Sequence, residues 1–419
     1  MKALIITYYW PPAGGSGVQR WLKFVKYLPE FGVQPIVYVP ENANYPTIDK
    51  SLLAEMPKEV TVLKSPIKNP QDVISFLKKN THKKGVANVS KGGFLSWVRG
   101  NFFIPDAKKF WIKPSVKYLE RYLKENPVDV IISTGPPHSI HLIANKIKQK
   151  TNLRWIADFR DPWSQLYYNA DFNLSSYAKK KNKQLETIVL QNADAVITVS
   201  KSLKKEFENI AKKVFVITNG YDDEVLLDEK LPLTSKFSLA HIGLLPKQSN
   251  PRVLWKVLQT ISKENKTFKN DLEINLIGNV NQETIEDIKY FELFNNTILK
   301  GYVPHKTAIK LQKTAQILLL LIPKTDNSKG ILTGKLFEYI TSKRPILALG
   351  DKQGDAATLI QETETGVLVN FDDEQQLKAI ILQWYKAYQE QRLSVKPKNI
   401  EQYHRKNLTQ QLSELIKIM

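Results

Sequence analysis

The residues Thr333-Gly334-Lys335, with Glu338 three positions further on, have the types and spacing to hold a phosphorylated ligand. They close a run that starts at Lys329-Gly330, after the apolar stretch Ile317–Ile322 and before Arg344-Pro345 and a second apolar run, Ile346–Leu349. This pattern predicts a loop opening onto a short helix between two strands. Such a helix start presents unpaired backbone N–H groups and a partial positive charge, which suits a phosphate. One turn in, Glu338 faces the same ligand and can accept hydrogen bonds from sugar hydroxyls. Together these groups suit a nucleotide that carries a sugar.

Further cations lie upstream. His241-Ile242-Gly243-Leu244 ends another apolar run, and Lys247 and Arg252 follow before a helix. With Lys335 they could neutralise a leaving diphosphate. Asp222-Asp223-Glu224 and Asp372-Asp373-Glu374 read as solvated loop acids. No set of acids or histidines has metal-ligand spacing, so no metal site is expected. Leaving-group charge then falls to Lys, Arg and helix dipoles.

The first half carries its own candidates. Gly14-Gly15-Ser16-Gly17 precedes a helix, and small residues there let backbone approach a ligand. The spacing is not the G-x-G-x-x-G of dinucleotide sites, and a tight turn without ligand is the alternative. Pro136-Pro137-His138-Ser139 and Arg160-Asp161-Pro162-Trp163 follow apolar runs directly, where catalytic groups gather in doubly wound folds. Arg160 beside Asp161 offers a fixed cation and an acceptor, or else a structural pair that buttresses the turn. His138 is either a site residue or a histidine packed in its loop.

These residues need a scaffold, and the chain has the length for one. Its 419 residues, 42% of them hydrophobic, suffice for two cores. The absence of cysteine excludes disulfides and thiol chemistry and suits a reducing compartment. The apolar start is too short for a signal peptide and no stretch is long enough to span a bilayer, so a cytoplasmic location is expected. The formal net charge of +20 favours anionic partners. The excess is densest from Phe76 to Lys124, where Lys83, Lys84, Lys91, Arg99, Lys108 and Lys109 alternate with Phe94, Trp97, Phe102, Phe103, Phe110 and Trp111. That mixture suits anionic lipid through 83–111, or single-stranded nucleic acid, or an ordinary basic surface whose aromatics are core.

Strand and helix patterns alternate throughout, the mark of parallel α/β layers. Strands are expected at Ala3–Thr7, Pro35–Val39, Val60–Leu63, Val128–Ser133, Trp155–Phe159, Ala195–Val199 and Val214–Thr218. A second series runs Ser238–Ile242, Glu273–Ile277, Thr297–Lys300, Ile317–Leu321, Ile346–Leu349 and Gly366–Val369. This divides the chain into a doubly wound domain over 1–225, a linker over 226–236 and a second such domain over 237–398. A final helix within 399–419 is expected to pack back on the first.

In order and spacing these pieces resemble the family 4 glycosyltransferases of the GT-B fold. The matching segments are Gly14–Arg20, Ile104-Pro105-Asp106 with Trp111, Pro136–Ala144, Ala157–Trp163, Ala193–Ser200, Asn219–Asp222 and Lys335–Gly350. The resemblance implies two Rossmann-like domains facing a central cleft, with the donor held by the second and the acceptor by the first. It implies a retaining, metal-independent transfer of sugar from a nucleotide-sugar to a glycan, lipid-linked or other hydroxyl acceptor. A UDP- or GDP-sugar is then a substrate, and no cofactor is expected. The donor diphosphate falls to Gly243, Lys247, Arg252, Thr333, Gly334 and Lys335, the ribose to Glu338, and the base to Tyr302-Val303. Arg160, Asp161 and His138 become the catalytic candidates, with Gly15, Ser16 and Gly17 lining the acceptor and donor loop. Many members carry Glu, seven residues, Glu in the donor loop; here Gly330 replaces the first. Leu244 stands where an Arg is usual, and Arg160 where a His is common. A nucleotide-sugar epimerase of the same fold is the alternative, and a basic nucleic-acid or anionic-surface binding protein is a more distant one.

Overall fold

The computed structural model describes residues 1–67, 94–164, 173–223 and 231–419. The expected basic positions Lys83, Lys84 and Lys91, and part of the expected linker, lie outside these. Contacts divide the chain into two units, Met1–Thr218 with Arg405–Met419, and Asn219–His404.

The first unit is built on a seven-stranded sheet. Its strands are β1 (Lys2–Ile6), β2 (Gln34–Pro40), β3 (Thr61–Ser65), β4 (Val130–Gly135), β5 (Arg154–Phe159), β6 (Ala195–Thr198) and β7 (Val214–Val216). They lie in the order β3-β2-β1-β4-β5-β6-β7, every pairing parallel. The direction of winding reverses between β1 and β4, and loops at the carboxyl ends of such a pair form the ligand crevice of this architecture. All six residues of β4 are buried, which is why the strand reads as a continuous run rather than an alternation. Helices cover both faces. On one, Trp111 is fully buried and stacks on Tyr38 with ring centroids 5.1 Å apart. On the other, Leu408, Leu412, Leu415 and Ile416 of the last helix, Arg405–Ile418, share a core with Trp21, Leu22 and Val25. Those four leucine and isoleucine positions recur at helical spacing, so one face of that helix is apolar throughout.

The second unit has six strands: β8 (Phe237–Ile242), β9 (Leu272–Ile277), β10 (Thr297–Lys300), β11 (Ile317–Leu321), β12 (Ile346–Gly350) and β13 (Gly366–Asn370). The order β10-β9-β8-β11-β12-β13 is again parallel and reverses at β8 and β11. Arg344 immediately precedes Pro345 and β12. It is buried, and its Nη2 donates to the backbone carbonyls of Gln316 and Leu393 and to the Gln316 side chain, closing the gap before β12.

Asp222 is not a solvated loop acid: it is 6% exposed, in the turn that follows Tyr221. The turn is drawn inward because Tyr221 is itself buried and its backbone N–H donates to the Tyr403 carbonyl. That pairing, across most of the unit's sequence, has no local signal.

Candidate functional site

In the second unit, the chemistry-bearing side chains gather where β8 and β11 end. Backbone after β8 turns sharply: Gly243 has φ +118° and Gly278, after β9, has φ +116°, values that L side chains rarely adopt. A β-carbon on Gly278 would press into the Gly243 carbonyl, so the two loops can approach only as glycines. Lys335 fills the space beside Gly243, where a β-carbon would lie 3.2 Å from Nζ.

The helix Gly334–Tyr339 aims Lys335 there because it is anchored one turn on. The Ile242 N–H donates to the Tyr339 hydroxyl at 3.0 Å, fixing the helix to the end of β8. His241 completes the arrangement. The tautomer that satisfies its two shorter contacts has Nδ1–H donating to the Leu319 carbonyl (3.2 Å) and Nε2 accepting from the Lys335 ammonium (3.2 Å), leaving the Leu244 carbonyl, 3.4 Å from Nε2, unserved by the ring. Burial, then the Lys335 charge, holds His241 down to about 3, so the imidazole is neutral. Burial also lowers Lys335 to about 8, with the Glu338 carboxylate pulling it upward. A partly desolvated ammonium in a glycine-lined turn is a strong anion site. At the helix start, Thr333 Oγ1 is buried with no hydrogen-bond partner among the described residues.

Glu338 lies one turn beyond Lys335. Its Oε1 accepts from His305 Nε2 at 2.9 Å and its Oε2 from Gln312 Nε2 at 2.8 Å. Both partners belong to the helix His305–Thr314, which follows Tyr302-Val303 after Pro304. Carboxylate oxygens accept more than one hydrogen bond each, so Glu338 is oriented and keeps acceptor capacity. His305 and Gln312 were not legible as site residues, because only the folded helix brings them to the carboxylate. Tyr302 is 73% exposed, and Val303 packs partly against the unit's core.

Lys247 and Arg252 are placed differently. Lys247 pairs with Glu283 at 2.7 Å and Arg252 with Asp287 at 3.0 Å, both acids on the helix Gln282–Tyr290. Both cations are exposed, and neither is in contact with the Lys335 cluster through a described hydrogen bond or ion pair.

In the first unit, the loops after β1, β4 and β5 converge. Arg160 Nε donates to the Gly135 carbonyl (3.0 Å) and Nη2 to the Pro136 carbonyl (2.6 Å). Nη1 lies against Gly17, where no β-carbon could fit. The hydrogen bonds that buttress this turn thus go to backbone carbonyls, while Asp161, on the surface, acts on Arg160 through its charge. Gly15, with φ +100°, caps the helix Ser16–Tyr27, and Ser16 begins it. Beneath them, Asp158 is fully buried and accepts from Arg20 Nη2 (2.9 Å), Trp21 Nε1 (2.6 Å) and Thr134 Oγ1 (2.9 Å). Burial alone would raise its carboxyl, but Arg20 and the other donors hold it below the usual range.

His138 is 3% exposed, and its ring stacks on Trp163 with centroids 4.7 Å apart and planes 5° from parallel. Neither ring nitrogen has a hydrogen-bond partner among the described residues. Burial, then His141 and Arg160, keep it neutral, well below the usual imidazole range. It does not cap the helix Ser139–Thr151 with its side chain; Asp106 does, accepting from Ser139 N and Oγ at 2.8 and 2.7 Å.

Among the described residues, one group could hold a metal ion: Asp222, Asp223 and His404, whose ligand atoms lie within 4.8 Å of one another. His404 Nε2 is 2.9 Å from Asp223 Oδ1, an ion-pair distance that needs no metal. The separation of His404 from the acids in sequence hid this group from a reading of spacing.

No curated protein matches the chain significantly by sequence. Among solved structures, sucrose-phosphate synthase from Thermosynechococcus elongatus is similar at 13% identity and TM-score 0.61, covering 99% of this chain and 94% of that one. S. aureus TarM, in complex with Fondaparinux, alpha-GlcNAc-glycerol and UDP, is similar at 14% identity and TM-score 0.59, covering 100% and 96%. A Listeria monocytogenes protein assigned as a UDP-N-acetylglucosamine 2-epimerase gives 11% identity and TM-score 0.57, covering 99% and 95%. At these identities the likeness establishes the fold, which is GT-B. Residues 16–225 match Glycosyltransferase Family 4. That match takes in half of the chain, including the first-unit candidates Ser16, Gly17, His138, Arg160 and Asp161, and on it the chain belongs to this family and is a glycosyltransferase.

Proposed function

We propose that the protein transfers a sugar from a nucleotide-sugar, UDP- or GDP-linked, to a glycan, lipid-linked or other hydroxyl acceptor, with retention of configuration. The observation that carries the donor assignment is the buried Lys335 ammonium at the Gly243 turn, with oriented Glu338 one turn on. In this reading Lys335 and the backbone N–H groups at Thr333 and Gly334 hold the diphosphate. Glu338 accepts from the ribose hydroxyls, and backbone at Tyr302-Val303 reads the base. Lys247 contributes by leaving its exposed partner Glu283, a small cost for a surface pair, while Arg252 leaves the buried Asp287, which keeps its hydrogen bond from Asn250. UDP in the similar TarM complex supports a nucleotide donor.

The acceptor enters the first unit by the Gly15–Gly17 loop. Arg160, Asp161 and His138 orient the reacting sugars and stabilise positive charge developing at the anomeric carbon. The departing phosphate oxygen takes the acceptor proton, so no protein nucleophile is needed, and protein cations rather than a metal ion meet the leaving charge. Polysaccharide or glycolipid assembly is the setting this chemistry suits. A thermal-shift screen against UDP-, GDP- and dTDP-sugars tests the donor. Product analysis with donor alone separates transfer from epimerisation, which would change the donor sugar without any acceptor.

A cytoplasmic enzyme resting on an anionic membrane is part of the same proposal. No helix among the described residues is long and apolar enough to cross a membrane. Phe102, 62% exposed, and the exposed Phe110 and Trp97 stand beside Arg99 and Lys109. Lys109 Nζ lies 5.3 Å from the Phe103 and Phe110 ring centroids. Aromatics with flanking cations suit a headgroup layer. Sedimentation with anionic vesicles checks this: a protein that stays in the supernatant, as does its Lys109→Glu variant, excludes it.

A further inference from the structure

Within the first unit, a cavity of about 360 Å³ is lined in part by Tyr9, Arg99, Lys108, Pro137, His138 and Trp163. Its volume is at the low end for small-molecule sites, which run from roughly 300 to 1,000 Å³. Two of its polar groups are already engaged. Asp106 also lines it, but its carboxylate holds Ser139 and the Lys108 backbone N–H, the last at 2.8 Å. Asn182 accepts from Trp163 Nε1 at 3.0 Å and donates to the Ala178 carbonyl at 3.0 Å.

His138 is the exception. It is almost completely buried, faces this cavity, and satisfies neither ring nitrogen with a described residue. A buried polar group in that condition calls for a partner in the cavity, an ordered water or a ligand group. A neutral imidazole offers one donor and one acceptor, the complement of a sugar hydroxyl, which can both accept and donate. The charged side chains that line the same cavity are Arg99 and Lys108 against the single, already engaged Asp106. Cations of this kind pair with a phosphate through charge-assisted hydrogen bonds.

We propose that this cavity binds a phosphorylated sugar, its phosphate against Arg99 and Lys108 and a sugar hydroxyl on His138. The assignment rests on the reading of the first unit as the acceptor side and names the acceptor's chemical class. A soluble sugar phosphate and a sugar phosphate esterified to a lipid chain share that chemistry.

Calorimetric titration of the full chain without donor tests it. A panel of hexose 1-phosphates is compared with the matching hexoses, with inorganic phosphate, and with isoprenyl-phosphate esters in detergent micelles. At least one sugar phosphate is expected to bind tenfold or more tightly than its hexose and than phosphate. His138→Phe, which keeps the ring stack and removes both nitrogens, and Arg99→Gln are each expected to weaken it at least fivefold. Should His138→Phe not fold, the exposed Arg99→Gln carries the comparison. Tighter binding of the ester points to a lipid-linked acceptor, equal binding to a soluble one. Failure of the whole panel to bind, a hexose binding as tightly as its phosphate, or variants that bind like wild type would overturn the assignment. Donor-induced thermal shifts on the same samples keep the two claims apart. A shift without sugar-phosphate binding removes this cavity and leaves glycosyl transfer standing.

Discussion

The Arg160 guanidinium occupies the space in which a β-carbon of Gly17 would stand. It cannot simply swing aside, because Nε and Nη2 are held by the Gly135 and Pro136 carbonyls at 3.0 and 2.6 Å. Three strand-end loops thus fix one cation. Gly17→Ala is expected to cost about 1–3 kcal/mol by overpacking. It should also lower the transfer rate on the order of 100-fold by displacing the charge. Steady-state kinetics alongside thermal unfolding check this; a wild-type rate in a folded Gly17→Ala protein removes Arg160 from the chemistry.

In the proposed donor site Lys335 sets a pH dependence. Its ammonium titrates at about 8 in the free protein, while neutral His241, at about 3, does not titrate in the working range. A diphosphate binds the protonated form, so the donor Kd should rise as pH increases through about 8. Lys335→Arg keeps its charge and should flatten that profile. Lys335→Ala should weaken donor binding roughly 10- to 100-fold, from about 1.5–3 kcal/mol for a charged hydrogen bond. Lys247→Ala, at an exposed ion pair, should change it less than about threefold. A pH-independent Kd in wild type would contradict this ordering.

Glu338 is expected to act on donor binding, and His305 to act through Glu338. Glu338→Ala should raise the donor KM or abolish transfer. His305→Ala removes one orienting hydrogen bond, worth ~1 kcal/mol, so KM should rise roughly fivefold with kcat little changed. Equal losses in kcat and kcat/KM would instead place His305 in the transition state.

The Arg20–Asp158 pair is a stability element rather than a site. Because the folded state lowers the Asp158 pKa below its ordinary 3.8, its contribution is fully present above that pH and is lost as pH falls through the folded value. Asp158→Asn leaves the Arg20 charge buried and should cost about 3–5 kcal/mol at neutral pH. Urea unfolding across a pH series measures both; a cost below about 1 kcal/mol would show that Arg20 finds other partners.

Strand positions were legible because fully buried parallel strands are uninterrupted apolar runs, as at β4 and β11. Edges were less so: β7 ends at Val216 rather than Thr218, since its partner β6 ends at Thr198, opposite Val216. The helix start at Gly334 and the glycine turn at Gly243, which Lys335 approaches, could be read from glycine and cation placement beside strand ends. What could not be read was partnership at long range. His305 and Gln312 on Glu338, the Tyr339 anchor on Ile242, and Arg160 against Gly17 all depend on which elements the fold sets side by side. Lys247 and Arg252 looked equivalent to Lys335 in sequence, and only the acids of a neighbouring helix distinguish them.

The central claim is that Lys335 and Glu338 hold a nucleotide-sugar. Thermal unfolding of wild type and Lys335→Ala with saturating UDP-, GDP- and dTDP-sugars tests it most directly. The account predicts that one of these donors raises the wild-type Tm by a few degrees and leaves the variant's unmoved. No stabilisation of wild type by any of them, or an equal rise in Lys335→Ala, would contradict it.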